Sequence, residues 1–238
     1  MPGIFVSTAE QLKRKAAERA VALIEDGMKL GLGTGSTARH VLHVIAERRK
    51  RGELTRIAGV PTSRATENLA RELGIPLTTL DRHPQLDLAI DGTDEVDPEL
   101  NLIKGLGGAL LWEKIVAASA ARFVIVCDES KLVDRLGDKA PVPVEVVPFA
   151  YQIHMPFVEE LGGQAKLREK DGAPFVSDGG HYIIDCYFED GISDPWRLEA
   201  ELKHRAGVVE TGLFLDMAES VIVAAAGGIN VLARADDE

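Results

Sequence analysis

The chain is short of several things, and each shortage removes a class of explanation. It has only two cysteines, Cys127 and Cys186, with no C-x-x-C pair, which excludes a secreted disulfide scaffold and leaves both expected as buried thiols. Basic residues are scarce: 27 Lys and Arg stand against 38 Asp and Glu, for a net charge of −11. Phosphate backbones are bound through clustered Lys and Arg, so no nucleic-acid partner is expected. No apolar run is long enough to cross a bilayer, and the opening "MPGIFVSTAEQLKRKAAERAV" is amphipathic and charged rather than signal-like. The reading is therefore no membrane partner and a cytoplasmic location. Internal repeats, low-complexity tracts and long linkers are absent. His40 and His43 share a predicted helix without a third ligand nearby, so no metal site is read there.

What remains is an ordinary globular composition, 45% hydrophobic and 27% charged, over 238 residues, enough for one large domain or two unequal ones. From Met28 to about Lys131 short apolar runs alternate with helical stretches, the pattern of a parallel sheet built from βα units. The expected strands are "MKLGL", "TRIAGV", "IPLTTL", "LDLAI" and "RFVIVC". The expected helices are "STARHVLHVIAERRK", "SRATENLARELG" and "LWEKIVAASAA", each with apolar residues at helical spacing. After Val133 the rhythm stops. "APVPVEVVPFA" is proline-rich, and "APFVSDGGHYIIDCYF" reads as a hairpin around Asp178-Gly179-Gly180. With a helical segment on either side the order becomes β-α-β-β-α-β, the ferredoxin-like arrangement. The expected class is thus α/β: a mainly parallel sheet domain over 1–133 and 208–238, with a smaller α+β domain inserted at 134–207. "ESVIVAAAGGINVLA" is expected to return to the first sheet as one more strand.

Ligands of open α/β sheets bind outside the carboxyl ends of the strands, so what each strand delivers there matters. The first delivers "GLGTGSTARHV", which completes neither common nucleotide pattern. Ser36 stands where G-x-G-x-x-G needs a third glycine, and the loop lacks the lysine of a P-loop. Thr34 to Thr37 still offer outward amides at a helix start plus three hydroxyls, a cradle for one phosphate. The plainer alternative is a βα turn shaped by Gly33 and Gly35 with Ser36 as helix cap. The second strand delivers "PTS". "LDLAI" leads into "DGTDEVD", where Asp91, Asp94, Glu95 and Asp97 could hold Mg²⁺, contact sugar hydroxyls or form a solvated acidic loop. "KGLGGALLWEK" joins Lys104 and a glycine-rich turn to Glu113, either a favourable charge in a first helical turn or a proton shuttle. Lys131 in "DESK" is a surface charge or an oxyanion partner.

Together these motifs resemble the A-type ribose-5-phosphate isomerase family, whose members carry a GTGST loop, a DGADE loop, a KGGGxAL…EK segment and a D-x-S-K turn. "PVEVVPFA", "GGQAKLR", "FVSDGGHYIID" and "GVVETGLF" are similar to the family's later segments, in order, so the resemblance spans nearly the whole chain. It implies a Rossmann-like domain bearing a smaller α+β domain, a sugar-phosphate substrate, no cofactor or metal, a homodimer, and interconversion of D-ribose 5-phosphate with D-ribulose 5-phosphate. Carried over by motif, Thr34, Gly35, Ser36 and Thr37 hold phosphate, and Glu113 is the base. Asp91, Gly92, Thr93 and Asp94 contact the sugar. Lys104, Gly105, Leu106, Gly107 and Lys131 complete the site, with Asp91, Asp94, Lys104 and Lys131 counted among the catalytic groups. Leu106 replaces a glycine of the family turn, and Trp112 stands where Arg or Gln is usual. The rivals are a metal-assisted isomerase using "DGTDEVD", an amino-sugar phosphate deaminase, and a non-catalytic sugar-phosphate sensor. A sensor would usually lose the base, and this chain keeps Glu113.

Overall fold

A computed structural model describes residues 8–234; residues 1–7 and 235–238, including the first part of the charged opening stretch, lie outside it. Along the chain run α1 (Thr8–Val21), β1 (Lys29–Leu32), α2 (Ser36–Lys50), β2 (Ala58–Pro61), α3 (Arg64–Glu72) and β3 (Leu88–Asp91). Then come β4 (Glu95–Val96), β5 (Leu102–Ile103), α4 (Leu110–Ala118), β6 (Phe123–Asp128), β7 (Val142–Val146), α5 (His154–Glu160) and β8 (Gln164–Leu167). The remainder is β9 (Glu169–Lys170), β10 (Ala173–Pro174), β11 (Tyr182–Tyr187), α6 (Pro195–His204), β12 (Val208–Thr211), β13 (Leu213–Phe214), β14 (Ser220–Ala225) and β15 (Gly228–Ala233). The chain divides into two compact units. One uses the residues up to Gly92, Ser119–Ser130 and the segment from Glu219; the other uses Thr93–Ala118 and Lys131–Ala218.

The first unit holds a six-stranded sheet in the order β15-β14-β6-β3-β1-β2. Every pairing is parallel except β14 with β15. "LAID", "FVIVC" and "SVIVA" are near-continuous apolar runs because such strands are buried on both faces. β1 lies between β2 and β3, so the chain steps from β1 outward to β2 and then crosses back past β1 to β3. That reversal opens a crevice at the carboxyl ends of β1 and β3. The α/β class and the parallel sheet are as expected. "IPLTTL" is not a strand: Pro76 has no N–H for a ladder, and the segment meets β2 only at a Gly59–Leu77 bridge. The run at 219–233 is two strands rather than one, because the Ala226-Gly227 turn folds β15 back on β14.

The second unit contains a four-stranded antiparallel sheet, ordered β12-β7-β11-β8, which with α5 and α6 has the ferredoxin-like order. The hairpin expected around Asp178-Gly179-Gly180 reduces to one Val176–Tyr182 bridge; β11 pairs mainly with β7 and β8, and β9 and β10 pair with each other. The unit boundaries also differ from those expected at 133/134 and 207/208. Segments 93–118, 131–133 and 208–218 belong to the second unit. There β4, β5 and β13 form a three-stranded sheet. Strands of two residues leave no periodicity, which is why the sequence reading joined them to the preceding βα pattern.

Candidate active site

In the first unit the loop of residues 34–37 sits where the sheet reverses direction. The loop between β1 and α2 is tied to the end of β3 by Asp91, whose Oδ1 accepts the amides of Thr34 at 2.8 Å and Gly92 at 2.7 Å. Gly33 is required for this closeness: a Cβ there would lie 2.3 Å from Asp91 Oδ1. Gly35 is the N-cap of α2 with φ of 105°, and no side chain caps that helix. Ser36 is therefore not the cap; α3 and α6, by contrast, are capped by Ser63 and Asp194. An uncapped helix start with exposed Gly35 and Ser36 keeps its amides directed outward, where an anion is favoured.

Thr34 departs from its assigned role. Its Oγ1 lies 2.7 Å from Thr62 Oγ1, 2.8 Å from Ser63 Oγ and 3.0 Å from Thr66 Oγ1. Thr62, Ser63 and Thr66 are all buried, so the Thr34 hydroxyl belongs to an internal hydroxyl cluster while its amide is donated to Asp91. This cluster is what "PTS" supplies. Sequence reasoning also missed Lys13. From α1 its Nζ reaches Ser36 Oγ at 3.4 Å and Glu10 Oε1 at 3.2 Å, bringing an ammonium to the loop. Only the packing of α1 on α2 reveals it.

In the second unit Lys104 and Glu113 form a buried pair, Nζ to Oε1 3.5 Å, at 2% and 5% exposure. Glu113 lies in the first turn of α4, where the helix dipole favours a carboxylate. The Lys104 ammonium stands 5.5 Å from the centroid of the buried Phe214 ring, and Lys114 stands 4.9 Å from that ring. Lys114 also bonds to Glu210 at 2.8 Å and to the Leu213 carbonyl at 2.7 Å, which anchors α4. Burial pushes the Glu210 carboxyl up, but the charge and hydrogen bond of Lys114, with hydrogen bonds from Lys203 and the Thr211 amide, outweigh it and hold it below the usual range.

The remaining assigned residues have varied duties. Asp94 Oδ2 accepts the Leu106 amide at 2.9 Å, which fixes the Gly105-Leu106-Gly107 turn. The Thr93 hydroxyl is turned to the carbonyls of Glu95 and Ile103, at 2.6 and 3.0 Å. Glu95 is fully buried and accepts the amides of Gly137, Lys139 and Ala140, while Asp97 accepts those of Glu99 and Asn101. The acidic residues of "DGTDEVD" are thus engaged in separate structural duties. Among the described residues, no group of three or more His, Cys, Asp or Glu is arranged to hold a metal. Lys131 closes a short 3-10 turn after β6, half-buried, and no ion pair is formed by its ammonium among the described residues.

These two sets, Thr34–Thr37 with Asp91 and Gly92, and Asp94 with Lys104–Gly107 and Glu113, coincide with the family motifs. The sequence profile of ribose 5-phosphate isomerase A (phosphoriboisomerase A) matches residues 58–228. A ribose-5-phosphate isomerase A from Roseiflexus castenholzii is 56% identical over 218 residues, covering 91% of this chain and 93% of the relative. The solved structure of a D-ribose-5-phosphate isomerase in complex with phospho-erythronic acid superposes with a TM-score of 0.93 at 44% identity, covering 96% of this chain and all of that one. Ribose 5-phosphate isomerase A from Methanocaldococcus jannaschii gives 0.90 at 43% identity, covering 94% and 99%. The chain belongs to the ribose 5-phosphate isomerase A family.

Proposed function

We propose that the chain interconverts D-ribose 5-phosphate and D-ribulose 5-phosphate through an enediolate, with Glu113 as the single proton carrier. The buried Lys104–Glu113 pair, 3.5 Å apart, is the observation that carries this reading. Isomerisation removes a proton from C2 and delivers one to C1 while the carbonyl moves the other way. One carboxylate on one face of the sugar serves both transfers. Charge develops on oxygen in between, and a preorganised ammonium at Lys104 stabilises it without reorganisation. Lys131 is assigned a supporting role toward the same oxygen. The furanose must open first, and the proton exchanged then is assigned to Asp91 or Asp94. The phosphate is assigned to the amides of residues 35–37 and the hydroxyls of Ser36 and Thr37, with Lys13 supplying charge; the Thr34 amide is already given to Asp91. A phosphate contact held equally in ground and transition states supports binding more than turnover.

Purified protein incubated with ribose 5-phosphate in excess chelator is expected to form ribulose 5-phosphate. No product would overturn the reading; loss in chelator restored by Mg²⁺ would shift the chemistry to a metal-assisted route. The reading also includes a homodimer in the cytoplasm. Val147, Phe149 and Ile153 form an exposed apolar stretch, Phe149 at 88% exposure, which supports association, and light scattering on the eluted protein measures it. Two buried thiols suit a reducing compartment. No described helix is long and apolar enough to cross a membrane.

A further inference from the structure

The turn at Gly105–Gly108 joins Lys104 to the helix that carries Glu113. A segment so rich in glycine is intrinsically loose. Here it is tied on two sides. Asp94 takes the Leu106 amide, and Arg168 Nη1 donates to the carbonyls of Gly105 at 2.8 Å and Leu106 at 3.1 Å. Arg168 follows β8 in the four-stranded sheet. Its other edge forks onto Asp185 of the neighbouring β11, with Nε to Oδ2 at 2.9 Å and Nη2 bonded to Oδ1. The two side chains are only 12% and 13% exposed, so water competes little for the pair. The Phe175 ring lies 6.0 Å from the guanidinium and packs where a Cβ of Gly108 would be.

This clamp has a stereochemical consequence. In a trans peptide the N–H points opposite to the C=O, so fixing the Leu106 carbonyl on Arg168 aims the Gly107 amide away from it. It also fixes where Lys104 ends and where α4 begins. Leu106 is compatible with the arrangement because the left-handed positions of the turn are Gly105 and Gly108, at φ of 107° and 82°.

We infer that Arg168, oriented by Asp185, is a positioning residue for the isomerase reaction: it holds the 105–108 turn and, through it, the register of Lys104 against Glu113. The inference rests on the proposed function. Lysine in place of arginine keeps the charge but cannot bridge a carboxylate and two carbonyls at once. Wild type, Arg168→Lys and Asp185→Asn are compared for kcat and KM on ribose 5-phosphate, for Ki of inorganic phosphate, and for melting temperature. Arg168→Lys is expected to lower kcat roughly 10- to 100-fold, the cost of small misplacement of reacting groups, with the phosphate Ki within about twofold of wild type. Asp185→Asn leaves the guanidinium present but poorly oriented and is expected to lose less, about threefold or more. In Arg168→Ala, added guanidinium is expected to restore part of kcat, which a merely structural role would not produce. An Arg168→Lys variant with kcat near wild type would overturn the inference, as would a phosphate Ki that rises in proportion to the lost activity. Should Arg168→Lys not fold, an unimpaired Asp185→Asn variant overturns it equally. Wild-type protein inactive on ribose 5-phosphate would overturn the proposed function itself, whereas active wild type with unimpaired variants sinks this inference alone.

Discussion

Glu113 and Lys104 set the terms at the scale of the residue. Glu113→Gln keeps the shape and removes the proposed proton acceptor, so kcat is expected to fall by about 10²–10⁴-fold, or about 3–5 kcal/mol in barrier, while substrate affinity is retained. The same change leaves the Lys104 charge buried beside a neutral amide. Breaking a buried pair by removing one partner typically costs about 3–5 kcal/mol, so the variant is also expected to melt earlier. Isothermal binding and turnover measured below that melting point separate the effects, and near wild-type kcat would remove Glu113 from the role. Both residues were legible because a lysine, a glycine turn and a first-turn glutamate stand together in "KGLGGALLWEK". Thr34 and Thr93 were legible as motif members but not as side chains. A hydroxyl's direction depends on which neighbours are buried beside it, and those of Thr34 come from residues 62–66. Lys13 and Arg168 lie in stretches the sequence made visible, the charged opening and "GGQAKLR", but their contacts were not legible, since each reaches its target from an element distant in sequence.

At the scale of elements, β1, α2 and β3 act as one device in the first unit. The crevice where the strand order reverses receives the β1 loop, and Asp91 at the end of β3 holds that loop by its Thr34 amide. Gly33→Ala tests the device. The added methyl would stand 2.3 Å from Asp91 Oδ1 and 2.5 Å from Asp91 Cα, and a backbone atom cannot rotate out of the way. A loss of about 1–3 kcal/mol in stability is expected from this overpacking. KM for ribose 5-phosphate should rise more than kcat falls, because a displaced loop loses contacts that persist through the reaction. A variant with unchanged KM would separate the loop from phosphate binding. α2 was legible to its ends, Ser36 to Lys50, from its apolar periodicity, although the cap the sequence offered was Ser36 and the N-cap is Gly35. Residues 75–80 have strand-like apolar content without forming a strand, and two-residue strands carry no pattern from which unit boundaries could be read.

The whole molecule's stability should depend on pH in two separate windows, and His154 governs the upper one. His154 opens α5 and is 2% exposed. Burial, and then the nearby positive charge of Arg205, pushes its imidazole below the ordinary value. The unfolded chain then binds the proton more readily than the folded one. The stabilisation is fully present above the unfolded value of about 6.5 and is lost as pH falls from there toward the folded pKa. One proton limits the slope to about 1.4 kcal/mol per pH unit. The lower window belongs to carboxylates such as Asp26 and Glu53. Hydrogen bonds from the Arg56 backbone and the Arg51 side chain, respectively, lead in holding both down to about 2. Their contribution is present above the usual carboxylate range and disappears only as pH falls from about 4 toward 2. Denaturant titrations at stepped pH should therefore show stability declining as pH falls below about 6.5, before the carboxylates begin to titrate. His154→Asn, which cannot take the proton, should flatten that upper decline and leave the lower one in place. A variant whose upper slope matches wild type would assign the acid sensitivity to another group.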